Sequence, residues 1–208
     1  MAIALANPRH IFGYRTGVTS SIAYHDEQTI VFPSGANTIL YNIDQKSQKF
    51  IPATDRSEGM TAMAVSPNRR YVAVAEKGEK ATITIYDLHS LRKRKILSSP
   101  EIQSTEFVSL AFSPDSKYLV AQGGRPDWTL LYWTWEKSKV MASVKTTNPQ
   151  TNNPIYQVRL FPNFCAIRFL VTLAHKSLFR LRSTLKIIHS CVWLAMEYLS
   201  CFDTAKAI

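Results

Sequence analysis

Up to residue 162 the chain alternates short apolar, β-branched runs with polar clusters that hold all of its glycines and prolines. Two stretches repeat. Residues 64–75 read Ala-Val-Ser-Pro-Asn-Arg-Arg-Tyr-Val-Ala-Val-Ala, and residues 111–122 read Ala-Phe-Ser-Pro-Asp-Ser-Lys-Tyr-Leu-Val-Ala-Gln, an offset of 47. In each unit Val65 or Phe112 closes a strand. A Ser-Pro-Asx turn follows, because proline presets φ and the Asx side chain bonds its own backbone. Tyr71–Val74 and Tyr118–Ala121 form the next strand, mostly apolar and β-rich in composition. A variable loop leads to a strand carrying aromatics, Ile83–Leu88 or Leu130–Trp135. A fourth strand is expected at Lys95–Leu97 and Lys139–Ala142.

Thr29–Phe32 and Ile39–Asp44 are a fainter earlier copy, offset by 45 from the Tyr86 strand. A fourth copy begins at Ile155, with Pro162-Asn163 at the place of Pro114-Asp115. Four strands per unit at a repeat of about 45 residues is the pattern of a β-propeller. The expected fold is therefore mainly β: a partial WD-repeat β-propeller of about three blades plus a fragment, spanning 1–162. His10–Tyr14 reads as a further strand that would complete the last blade of a full ring. Here that partner blade is absent, which predicts exposed edges and apolar faces, with marginal stability or self-association.

Beyond residue 162 the pattern changes. Residues 163–208 contain no glycine or proline and hold all three cysteines, Cys165, Cys191 and Cys201. Apolar residues at heptad spacing, from Val171 through Leu185 to Phe202, predict a helical, non-propeller tail. Phe179, Trp193 and Met196 fall off the seam, and a collapsed tail without a role of its own competes with a coiled-coil or membrane-surface segment.

Composition narrows the classes. The 208 residues are 46% hydrophobic and 19% charged, which is globular. An odd, scattered set of cysteines without a C-x-x-C pair argues against a disulfide framework or zinc cage and for a reducing compartment. The longest apolar stretch, Ile187–Phe202, is interrupted by His189 and Glu197, so no membrane span is expected. The net charge of +10 biases the chain toward acidic partners.

No catalytic set stands out, so neither enzyme activity nor a cofactor is expected. His25, Asp26 and Glu27 read as a solvated turn, and Gly123-Gly124 as a turn between strands. The run Arg92, Lys93, Arg94 and Lys95 falls in the hairpin before the fourth strand. It reads as a solvated turn, and it is also the best candidate for docking on an acidic surface. It lacks interleaved aromatics for base stacking, so no nucleic acid is expected. In the aromatic group Trp133 reads as core, and Trp128, in a loop, as the exposed contact candidate.

The segments Gly13–Val18, Asp26–Gly35, Ser66–Tyr71, Phe112–Leu119, Tyr132–Lys137 and Asn153–Val158 resemble the N-terminal region of cilia- and flagella-associated WD-repeat proteins, in loops as well as strands. The resemblance covers roughly residues 9–162. It implies a scaffold or adaptor of the ciliary or flagellar axoneme, in the cytoskeleton of the cilium. It also implies partners among inner-arm dyneins, their regulatory complexes and microtubules. The departure near Phe161-Pro162-Asn163 suggests an alternative C-terminus from splicing or intron read-through. Two other readings stand beside this one: a truncated isoform without independent activity, and a basic nucleic-acid or membrane-surface binder.

Overall fold

The structure, a computed structural model, describes residues 9–54, 57–100, 102–146 and Val158. Within them the chain forms three separate four-stranded antiparallel sheets, each a meander in chain order. The first contains β1 (Ala23–Tyr24), β2 (Thr29–Ser34), β3 (Asn37–Asn42) and β4 (Ser47–Ile51). The second contains β5 (Gly59–Val65), β6 (Tyr71–Lys77), β7 (Thr82–Asp87) and β8 (Lys93–Leu97). The third contains β9 (Phe107–Phe112), β10 (Tyr118–Gly123), β11 (Thr129–Thr134) and β12 (Lys139–Lys145). A 3-10 turn, Trp135–Lys137, joins β11 to β12. The expected fourth copy, apart from Val158, and the expected helical tail lie outside the described residues.

The repeated strands fall where the sequence places them, with small differences. β7 stops at Asp87 and β11 at Thr134, one residue short of expectation. β8 starts at Lys93, two residues early. Residues 10–14 form no strand, contrary to expectation. Instead the side-chain amide of Gln48 on β4 takes the place of a strand partner. It accepts from the Ile11 backbone N–H at 2.8 Å and donates to the Ile11 carbonyl at 3.3 Å.

The sheets stack, and the alternation of side chains along each strand shows how. In the second sheet Val72, Val74 and Tyr86 point toward the first sheet and pack with Val31, Leu40 and Ile51. The alternate residues Ala73, Ala75, Ile83 and Ile85 point toward the third sheet and pack with Leu119, Ala121, Leu131 and Trp133. The middle sheet is thus covered on both faces, which explains why β5 and β6 read as nearly continuous apolar runs and not as an in-out alternation. Small alanines on β6 make room for the Trp133 indole, which is 1% exposed. Packing is closest at the inner edge, where β5 lies against β9.

That inner edge is strapped by hydroxyls. Thr61 Oγ1 donates to the Phe107 carbonyl at 2.7 Å, and Thr19 Oγ1 to the Val108 carbonyl at 2.7 Å. Thr19 also bridges β5 through its backbone, accepting from Met63 and donating to Thr61. Val158 donates its N–H to Ser109 Oγ and packs with Val120 and Trp128 on the far face of the third sheet.

Candidate interaction surface

Local turn chemistry aligns one rim of the molecule. In the second sheet Ser66 Oγ accepts from Tyr71 N at 2.9 Å, and Asn68 Oδ1 accepts from Arg70 N at 3.1 Å. The third sheet repeats this 47 residues later: Ser113 Oγ accepts from Tyr118 N at 2.9 Å and Asp115 Oδ1 from Lys117 N at 3.2 Å. Arg69 and Ser116 take the same left-handed conformation in the two turns. In the first sheet Asp26 Oδ1 accepts from Gln28 N at 2.8 Å, the same Asx turn without the Ser-Pro. The three turns are chained together. His25 Nδ1 bonds the Arg69 carbonyl at 2.7 Å, and Asn68 N donates to Ser116 Oγ at 3.2 Å. The group His25, Asp26 and Glu27 is therefore a strand-to-strand turn, with His25 edge-on to His89 at 5.2 Å between ring centres.

A second repeated turn leads into each outer strand. Four residues intervene in the first and third sheets and five in the second, and the fourth is left-handed in each: Lys46 (φ 50°), Leu91 (φ 56°) and Ser138 (φ 52°). At its start Asn42 Oδ1 accepts from Gln45 N, and Asp87 Oδ1 from His89 N and Ser90 N, at 2.8, 3.0 and 3.2 Å.

Asp87 organises the basic run. It is buried, and its Oδ2 accepts from Arg94 at 3.0 Å and Arg70 at 3.4 Å. Burial alone would raise its pKa. The Ser90 N–H, the Arg94 guanidinium, the His89 N–H and the Arg70 guanidinium outweigh that and hold the carboxyl at about 2. The run Arg92–Lys95 is thus not one solvated turn. Arg92 ends the turn, while Lys93, Arg94 and Lys95 lie on β8, and Arg94 is spent on Asp87. The sequence reading missed this because Asp87 lies seven residues from Arg94 and meets it only once the hairpin closes.

Trp128 is a second correction. It lies in a loop, as expected, but it is 6% exposed. The loop folds back: Trp128 N donates to the Gly124 carbonyl at 3.0 Å, and its own carbonyl accepts from Gln122 Nε2 at 3.0 Å and Thr146 Oγ1 at 2.6 Å. The ring packs on Val120 and Val158. Beside it Asp127 ties the loop between β10 and β11 to residues 103 and 104 of the connection between β8 and β9. Burial opposes its charge, but the Ser104 hydroxyl, the Gln103 N–H and the Thr129 hydroxyl hold its pKa below the ordinary value. Gly123 closes β10 and Gly124 starts the loop. A Cβ on Gly123 would sit 2.9 Å from Ser104 Oγ and 3.0 Å from the Thr129 carbonyl.

The first sheet's other face is only partly covered among the described residues: Ile39 is fully buried there, while its register neighbours Ile30, Phe32 and Tyr41 are half-buried. Ile30, Phe32, Tyr41 and Gln48 line a groove of about 640 Å³ under the Ile11–Phe12 segment. Phe12 is 89% exposed, Ile22 62% and Tyr24 60%. Exposed apolar surface of this kind was expected of an uncovered sheet.

No family model matches the chain. Cilia- and flagella-associated protein 57 of Mus musculus is 52% identical over 163 residues, 77% of the chain. Cilia- and flagella-associated protein 57 C of Tetrahymena thermophila is 30% identical over 160 residues, 72% of the chain. The chain is a homologue of cilia- and flagella-associated protein 57. Human cilia- and flagella-associated protein 52 is more distant, 27% identical over 131 residues, 61% of the chain.

The homology is long enough to include residues from all three sheets, since the described strands together run from Ala23 to Lys145. The chain spans about 13% and 12% of the length of the two protein 57 relatives, and 20% of the human protein 52.

Proposed function

We propose that the chain is a non-catalytic protein-interaction scaffold of the ciliary or flagellar axoneme, built as the opening blades of a WD-type β-propeller. The observation that carries this reading is the 52% identity to a cilia- and flagella-associated protein. Three meander sheets of equal strand number, stacked face to face with β5 closest to β9, are what successive propeller blades look like. Tyr86-Asp87 and Trp133-Thr134 stand where such repeats carry their aromatic-acid pair, and Asp87 performs the turn-holding work that pair does. The buried Asp87 and the half-buried Asp127 are engaged in turn and loop bonds, which supports a structural and not a catalytic use.

By this reading the chain resides in the cilium or flagellum and contributes to inner dynein arm attachment and motility. Its partners are axonemal proteins, with Arg92, Lys93 and Lys95 as docking cations. The partly open face of the first sheet is where another blade would pack, and its exposed apolar side chains favour self-association. Tagged chain expressed in ciliated cells should remain with demembranated axonemes at physiological salt. Complete release into the detergent-soluble fraction would overturn the scaffold reading.

A further inference from the structure

Charge in this molecule is placed unevenly. β4, β8, β12 and the turns leading into them carry nine basic residues: Lys46 and Lys49 on the first sheet, Arg92 to Lys95 on the second, Lys137, Lys139 and Lys145 on the third. The same segments hold two acids, Asp44 and Glu136. All other described residues together hold eight basic and nine acidic side chains. The surplus therefore sits on the outer edge of each sheet.

Each of these strands is last in its sheet, with one side unpaired among the described residues. On β8 residues 93–96 are exposed, and Ile96 is 51% exposed. Open backbone with exposed side chains is a template for strand addition. Lysine there repels a second copy of the same edge, since like charges opposed across a ladder are unfavourable. The same charges favour an incoming strand of opposite sign. We propose that β8 receives an acidic, extended polypeptide by strand addition, its carboxylates set against Arg92, Lys93 and Lys95. The outer edges β4 and β12 strengthen the field. A phosphodiester chain has no amides to complete the ladder, and residues 88–97 offer no Trp, Tyr or Phe on which a base could stack. A bilayer surface would likewise leave the edge unpaired.

This deepens the docking role proposed above, and its test uses no axoneme, so the two can fail separately. The full 208-residue chain is titrated with two labelled peptides of equal length and charge, one alternating Glu and Thr, the other alternating Glu and Pro. The Glu-Thr peptide should bind at low salt and lose about tenfold or more in affinity by 0.2 M NaCl. The Glu-Pro peptide, which cannot donate to a ladder, should bind about tenfold more weakly. An R92Q/K93Q/K95Q variant should lose about tenfold toward Glu-Thr, while K77Q/K80Q/K117Q, with the same change in charge away from the edge, keeps most of its affinity. Equal binding of the two peptides would overturn strand addition, and this comparison needs no variant to fold. Equal loss in the two variants would overturn the assignment to β8. Polyuridine RNA or phosphatidylserine vesicles binding as tightly as Glu-Thr would overturn the choice of a polypeptide.

Discussion

The junction between the second and third sheets and the outer face of the first sheet are made from the same kind of strand, yet one is sealed and the other, among the described residues, only partly covered. At the junction, Leu119, Leu131 and Trp133 lie against Ala73, Ala75, Ile83 and Ile85, and all are essentially without solvent. On the outer face, Ile30, Phe32 and Tyr41 line an open groove crossed by residues 10–13 and pinned by Gln48. Apolar content does not separate the two regions. Having a neighbouring sheet does. Stability should therefore be concentrated in the second and third sheets, with the first sheet's free face contributing little.

Truncation at the sealed junction should have the largest effect. Trp133→Ala removes the largest fully buried side chain and should cost about 3–5 kcal/mol in urea unfolding. A chain that kept its wild-type midpoint would show the junction is not packed as described. Gly123→Ala should cost about 1–3 kcal/mol, because its Cβ meets Ser104 Oγ and the Thr129 backbone. Relief of that cost by adding Ser104→Gly would confirm the clash as its source.

The repeat and its turns were legible because Ser-Pro-Asx states its own geometry in residue types that few other turns share. The outer turn was not legible. Lys46, Leu91 and Ser138 adopt one left-handed conformation but have no side-chain property in common. β4 went unread because Ser47-Gln48-Lys49 carries the polarity of an edge and not the apolar pattern of a core strand. Trp128 was misplaced because a loop position says nothing of burial when the loop bonds back on itself. The basic run was recognised, but its division into docking cations and one internal ion pair depends on Asp87, whose role emerges only from the closed hairpin.

Asp87→Asn keeps the side-chain shape and removes the charge that holds Arg70 and Arg94, and should cost about 1–3 kcal/mol at neutral pH. The folded-state pKa of Asp87 is depressed to about 2 from an ordinary 3.8. Its contribution is thus full above pH 4 and is lost as pH falls through about 2. Acid titration of unfolding should show a smaller loss over that window in the variant than in wild type. Identical acid profiles would remove Asp87 as the source.

The smallest effect on stability belongs to the exposed part of the first sheet's outer face. Tyr24→Ser should stay within about 0.5 kcal/mol of wild type, since Tyr24 already stands in solvent. The same change should lower self-association in sedimentation if that face is the sticky one. A strongly destabilised Tyr24→Ser chain would mean that the face is covered after all.

Hydrogen exchange resolved to individual amides tests most directly the claim that the middle sheet alone is covered on both sides by described neighbours. Amides of β6 and β7 should be the slowest, with β10 and β11 close behind, β2 and β3 clearly faster, and the outer strands β4, β8 and β12 fastest of all. Protection of β2 and β3 equal to that of β6 and β7 would contradict the stacking of the sheets set out above.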